Sequence, residues 1–147
     1  MIIDNILLDK LTAQAKESPR LRMNMDLRNS DADSSQRMLN AIEPGSVVPI
    51  HRHQKTSETV VVLRGRVAEE YYSSEGLVEA SYELAAVGDA RSESGMTERD
   101  SGMTEVACAL NIPAGQWHTL RALESGTVIL EMKDGAYEPI QECDILK

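Results

Sequence analysis

The stretch Gly45-Ser46-Val47-Val48-Pro49-Ile50-His51-Arg52-His53-Gln54-Lys55-Thr56-Ser57-Glu58, continuing through Thr59-Val60-Val61-Val62-Leu63-Arg64 to Gly65, decides the reading of this chain. Side chains alternate faces along an extended strand, so His51 and His53 point the same way, one strand repeat apart. Ser57-Glu58-Thr59 opens a Val-rich run that reads as the next strand, and pairing of the two segments would bring Glu58 to both imidazoles. Two neutral nitrogens and one carboxylate suit a divalent transition metal better than calcium or magnesium. A further nitrogen is offered in Ile112-Pro113-Ala114-Gly115-Gln116-Trp117-His118. There Pro113 and Gly115 mark a tight turn, and His118 begins a strand from Trp117 to Leu123. The chain has three histidines, and all of them fall in these two stretches. Histidines placed for packing would scatter.

These residues resemble the cupin superfamily, whose first motif is Gly-x5-His-x-His-x4-Glu-x6-Gly; Gly45, His51, His53, Glu58 and Gly65 fit it without a gap. The second motif, Gly-x5-Pro-x-Gly-x2-His-x3-Asn, is matched at Pro113, Gly115 and His118, with Ala107 in place of the first Gly and Ala122 in place of the Asn. Neither departure falls on a metal ligand of that family. The resemblance implies an all-β chain, a cupin double-stranded β-helix forming a jelly-roll-like barrel, here with a short N-terminal helix. It implies one divalent transition metal (Fe, Zn, Ni or Mn) held by His51, His53, Glu58 and His118.

A narrower likeness rests on Ser18-Pro19-Arg20, Arg22, Asn24, the run Gln36-Arg37-Met38-Leu39-Asn40-Ala41, Pro44-Gly45, Val61-Val62-Leu63-Arg64-Gly65 and Trp117-His118-Thr119. Together these are similar to the WbuC-type cupin-fold metalloproteins, small bacterial proteins associated with surface-polysaccharide gene clusters. The likeness spans roughly residues 1–137. It implies a small-molecule ligand, a sugar or an organic acid, and a homodimer.

At 147 residues the chain is long enough for one domain with a true core. We divide it into an N-terminal helix and arginine-containing arm packed on the barrel (1–30), a single cupin barrel (31–137) and a C-terminal tail (138–147). The formal net charge of −9 argues against a nucleic-acid surface, which needs clustered Lys and Arg. No apolar run approaches the ~20 residues of a membrane span. The N-terminus is interrupted by Asp4 and Asp9 and lacks the positive start of a signal peptide, so the cytoplasm is the expected compartment. Cys108 and Cys143 form no metal clamp and are expected to be reduced there, with Cys108 packed in the core.

Taken in order, Ile3, Leu7, Leu8, Leu11 and Ala15 recur at helical spacing behind a capping Asp4, and Ser18-Pro19 ends the helix. Arg20, Arg22 and Arg28, with Asn24 between them, are candidates for an anion clamp, because guanidinium forks bind carboxylate and phosphate bidentately, and the resemblance favours Arg20, Arg22 and Asn24 among them; a solvated loop or ion pairing with the chain's own acids is the alternative. Asp31-Ala32-Asp33-Ser34-Ser35 is expected to cap a short helical turn. Gln36–Glu43 is expected as a strand with Arg37 and Asn40 on opposite faces. Further strands are expected at Val60–Leu63, Val67–Tyr72, Leu77–Leu84, Val106–Ile112 and Thr127–Met132. The polar segment Gly88–Glu105 holds Ser-Gly-Met-Thr-Glu twice and reads as a duplicated surface loop or a lid. Trp117 either lines the pocket or packs outside the barrel, since strand neighbours face opposite ways. Gln141–Lys147 reads as a tail or terminal helix.

Three chemistries suit such a site. One is metal-dependent isomerisation or epimerisation of a sugar or sugar phosphate. The second is an iron-dependent dioxygenase reaction. The third is non-catalytic binding of a small ligand. The first needs a general base, and with every histidine committed to the metal the sequence singles out none.

Overall fold

The computed structural model describes residues 1–87 and 106–147. The Gly88–Glu105 segment, expected as a loop or lid, lies outside the described residues. Helix α1 (Asn5–Glu17) starts as expected: the Asp4 carboxylate accepts a hydrogen bond from Leu7 N at 3.0 Å and satisfies one of the donors a helix start leaves unpaired. Among the described residues eight strands follow, β1 (Arg22–Asp26), β2 (Ser35–Ile42), β3 (Glu58–Arg64), β4 (Arg66–Tyr72), β5 (Val78–Ala85), β6 (Ala109–Ile112), β7 (Trp117–Ala122) and β8 (Thr127–Asp134). A single 3-10 turn, Glu142–Asp144, closes the chain. All strand pairings are antiparallel, in one sheet of order β1-β2-β8-β3-β6 and another of order β5-β4-β7.

Strand alternation separates two cores. From β2, β3 and β8, the side chains of Ile42, Val60, Val62 and Ile129 meet Val67, Leu84, Leu120 and Ala122 of the other sheet and fill the barrel. Leu39, Ala41 and Val128 turn the other way and pack with Leu8, Leu11 and Ala15 of α1. So β2 and β8 contribute side chains to both cores, one from each face.

Two local expectations are corrected. Asp31–Ser35 is not helical; Asp33 instead accepts from Asn29 N and Ser35 N, both at 3.1 Å, and bonds Arg37 at 2.8 Å. Side-chain acceptors of this kind divert the backbone into turns. Arg22–Asp26, placed in the arginine-containing arm with no strand assigned, is a strand: Asn24 pairs with Asn40 along the edge of the larger sheet.

Gly65 joins β3 to β4 at φ +73°, and a Cβ there would lie 2.5 Å from Thr127 Oγ1 and 3.0 Å from Thr127 Cα. The Gly65→Ala variant is expected to lose about 2 kcal/mol of stability, from a left-handed backbone and a clash with main chain. Urea unfolding of the two proteins measures it; equal midpoints would show that the turn relaxes freely.

Candidate metal centre

His51, His53, Glu58 and His118 converge, each offering a ligand atom, and these atoms all lie within 4.8 Å of one another. The route differs from the strand pairing expected. Residues 43–57 form no regular strand, and β3 pairs with β6 and β8. His51 instead exchanges both main-chain hydrogen bonds with His118, at 2.9 and 2.8 Å, while His53 O accepts from Gly115 N at 2.8 Å. The segment carrying two histidines is therefore laid along the turn and strand carrying the third. Glu58 enters from the first position of β3.

The C-terminal tail fixes this segment from its other side. Leu146 N bonds Ile50 O at 2.9 Å, and Arg52 N bonds Asp144 O at 3.1 Å. The Asp144 carboxylate accepts from Arg52 Nε at 2.9 Å and Gln54 Nε2 at 2.6 Å. Trp117 faces away from the histidines: the Arg52 guanidinium lies 4.4 Å from its ring centroid. Its neighbour His118 faces inward and is 2% exposed.

Tautomers follow from the carbonyls around the rings. His51 Nδ1 lies 3.0 Å from Pro49 O and His118 Nδ1 2.9 Å from Gln116 O. A carbonyl can only accept, so both Nδ1 atoms carry the proton and both Nε2 atoms present a lone pair. Burial, then the neighbouring His118, holds the His51 imidazole down at about 4, hence neutral. The Glu58 carboxyl resists burial and stays well below the usual carboxylate range, held there by contacts from His118 and His53 and by the Lys133 charge. His53 Nε2, Glu58 Oε2 and His118 Nε2 are buried atoms with no hydrogen-bond partner, although Oε2 lies 3.1 Å from His53 Nε2 and 3.3 Å from Lys133 Nζ. His118 Nε2 and Glu58 Oε2, 3.7 Å apart, then face each other as two acceptors in a dry site, which is unfavourable unless a cation sits between them. The donor set fits a transition metal.

A cavity of about 330 Å³ opens onto His51, Glu58 and His118 and is also lined by Arg20, Arg22, Asn24, Asn40, Glu131 and Lys133. Arg28, Arg37, Arg52, Arg64, Arg66 and Arg121 each lie within 3.8 Å of a carboxylate. Arg20 and Arg22 have no such partner among the described residues. Arg22 donates only to Val47 O at 3.0 Å, and burial and then the Arg20 charge lower its pKa. Of the two residues expected on opposite faces, Asn40 lines the cavity and Arg37 bonds Asp33 outside it.

The sequence reading missed Glu131, Lys133 and Glu69. Glu131 is pushed up by burial and then by the Glu58 charge, against the opposing pull of Lys133. Glu69 on β4 is fully buried with both carboxylate oxygens unpartnered. Burial, then the charges of Glu58, Glu131 and Glu70, push it up to about 9. Both cysteines are free thiols; Cys108 is half-buried and Cys143 exposed. Among the described residues no helix is long and apolar enough to cross a membrane.

Two antiparallel sheets closed into a barrel, with a His-x-His segment and a third histidine meeting in its mouth, have the cupin fold. Solved structures share the fold. KdgF from Halomonas sp. is 12% identical over 82% of this chain and 84% of its own, with a TM-score of 0.57. The cupin domain of Schizosaccharomyces pombe Cnp3 is 9% identical over 79% and 61%, with a TM-score of 0.52. Oxalate oxidase in complex with glycolate is 14% identical over 84% and 55%, with a TM-score of 0.57. No curated protein matches the sequence. The chain belongs to the family described as a domain of unknown function (DUF6016), whose model matches residues 3–84, more than half its length.

Proposed function

We propose that the protein is a metal-dependent enzyme of the WbuC type, acting on a sugar or sugar phosphate in bacterial surface-polysaccharide metabolism with isomerase- or epimerase-like chemistry. The observation that carries this reading is the cluster of His51, His53, Glu58 and His118, three of whose atoms are buried without a hydrogen-bond partner, with His51, Glu58 and His118 opening onto the cavity that Arg20 and Arg22 line. In this reading His51, His53, Glu58 and His118 hold one divalent metal, which supplies Lewis-acid polarisation of a substrate oxygen when bound. Arg20, Arg22 and Asn24 take the anionic end of the substrate. Residues 1–30 serve as an arm on the barrel of residues 31–137, with 138–147 as its tail, and the working form is a cytoplasmic homodimer.

Metal counted per chain, in protein purified without affinity tag or chelator, tests the reading together with turnover on a panel of sugar phosphates. One zinc, nickel or manganese with turnover supports it; no metal even after reconstitution would sink it. A second reading, an iron-dependent oxygenase acting on a small acid, draws on the oxalate oxidase that holds glycolate in the same fold and on the suitability of paired arginines for a carboxylate. One iron per chain and substrate-dependent oxygen consumption would favour it. Saturable binding with neither turnover nor oxygen use would leave a ligand-binding barrel.

The Arg20→Ala and Arg22→Ala variants should each bind glucose 6-phosphate about 10- to 100-fold more weakly, the loss expected of a charge-assisted hydrogen bond, with glucose affinity unchanged. Calorimetry with both sugars checks this. Equal losses for both sugars would mean that the arginines do not read the charge.

A further inference from the structure

We propose that Glu131 is the residue that moves the substrate's proton in this cavity, with Asn40 and Lys133 holding its carboxylate in place; the proposal rests on the metal-enzyme reading above. The alternation of β8 leads to it. Val128 packs beneath α1, whereas Ile129 fills the barrel, so Glu131 and Lys133 continue the inward-facing row. A carboxylate and an ammonium there have no packing purpose, and desolvating them is costly. Both line the cavity that also reaches His51, Glu58 and His118.

Glu131 is tightly placed. Its Oε2 accepts from Asn40 Nδ2 at 2.8 Å, and its Oε1 from Lys133 Nζ at 2.5 Å. Each carboxylate oxygen has two lone pairs, so one on each remains for a substrate. The other polar groups of the cavity are less suited. Glu58 belongs to the candidate ligand set. Lys133 lies between the Glu58 and Glu131 carboxylates, which favours its protonated form. Tyr137 lies under the Arg28 guanidinium, 5.5 Å from its ring centroid.

The step needs no oxidant or reductant. Glu131 takes the proton from the carbon beside the substrate's carbonyl. The C–H electron pair becomes the carbon–carbon π bond of an enediol, and the carbonyl π pair moves onto its oxygen. Return of that proton to the former carbonyl carbon, with the hydroxyl proton passing between the two oxygens, completes an isomerisation. Return to the opposite face of the original carbon gives the epimer.

The test follows exchange of that C–H for deuterium by proton NMR, in D2O, with metal-loaded protein. The probes are glyceraldehyde 3-phosphate, ribose 5-phosphate and glucose 6-phosphate. Wild type is expected to exchange at least one of them. Glu131→Gln should lower the rate about 100- to 10,000-fold with metal content and probe affinity unchanged, and Glu131→Asp should recover part of it. Wild-type exchange in a folded, metal-bound Glu131→Gln would overturn the proposal. So would a wild type that binds metal and probe yet exchanges none, a result that leaves the metal assignment standing. A wild type that takes up no metal overturns the underlying reading and the role of Glu131 with it.

Discussion

Replacing His51 and His53 together by alanine should abolish stoichiometric metal uptake and leave the barrel folded. The main-chain bonds that seat this segment, His51 with His118 and His53 O with Gly115 N, do not involve the imidazoles and survive the change. The lost rings remove two of four candidate ligands. Taking half of the roughly 10–16 kcal/mol that a four-ligand site gains from its ion, affinity falls by more than about three orders of magnitude. Metal per chain after reconstitution and dialysis is the readout, with circular dichroism reporting the fold. Thermal unfolding adds a second sign. Metal at about 100 times its Kd should stabilise the wild type by about 2.7 kcal/mol and the double variant not at all. A double variant that binds metal as the wild type does would show that the ligands have been misassigned.

The candidate metal centre was legible because its residues are rare and its spacing is tight. Every histidine in the chain falls in the candidate cluster, and Gly45, Gly65 and Gly115 all adopt the positive φ that their place in the two motifs suggests. How the ligands meet was not legible. The sequence invites pairing between the His51–His53 segment and β3; the fold seats that segment between β7 and the C-terminal tail, a tertiary choice with no local signature. Arg22–Asp26 was missed as a strand for the same reason: Arg-Met-Asn-Met-Asp has no β-branched residue, and its pairing with β2 sets its conformation. Glu131 and Lys133 escaped because alternating polar residues on a strand ordinarily mark its wet face. Here β8 turns Val128 under α1, so the polar row points inward. The only sequence clue was that both rows of β8 could not face water at once.

Replacing Glu69 by leucine should raise stability at pH 8 by about 5 kcal/mol in metal-free protein. Along Val67-Ala68-Glu69-Glu70-Tyr71-Tyr72 each face carries one glutamate, so alternation alone cannot say which is buried. The structure buries Glu69 fully, beside Leu120 and Tyr82 in the strand registers, with neither oxygen hydrogen-bonded. Glu43 shows the contrast: also buried, it accepts from Ser125 Oγ at 2.6 Å and Gly126 N at 2.8 Å. Unpaired, the Glu69 carboxyl keeps its proton to about 9, against an ordinary value of 4.5. The sign follows by linkage. Below the ordinary value both folded and unfolded chains hold the proton, and Glu69 takes nothing from stability through ionisation. Between that value and about 9 the unfolded chain releases it while the folded chain does not. Stability therefore falls with rising pH by about 1.4 kcal/mol per unit. Leucine, close in volume and with nothing to ionise, removes this slope. Urea titrations at pH 5 and pH 8 decide the matter: the gain should be small at pH 5 and large at pH 8. A gain independent of pH would show that Glu69 is already ionised in the folded barrel.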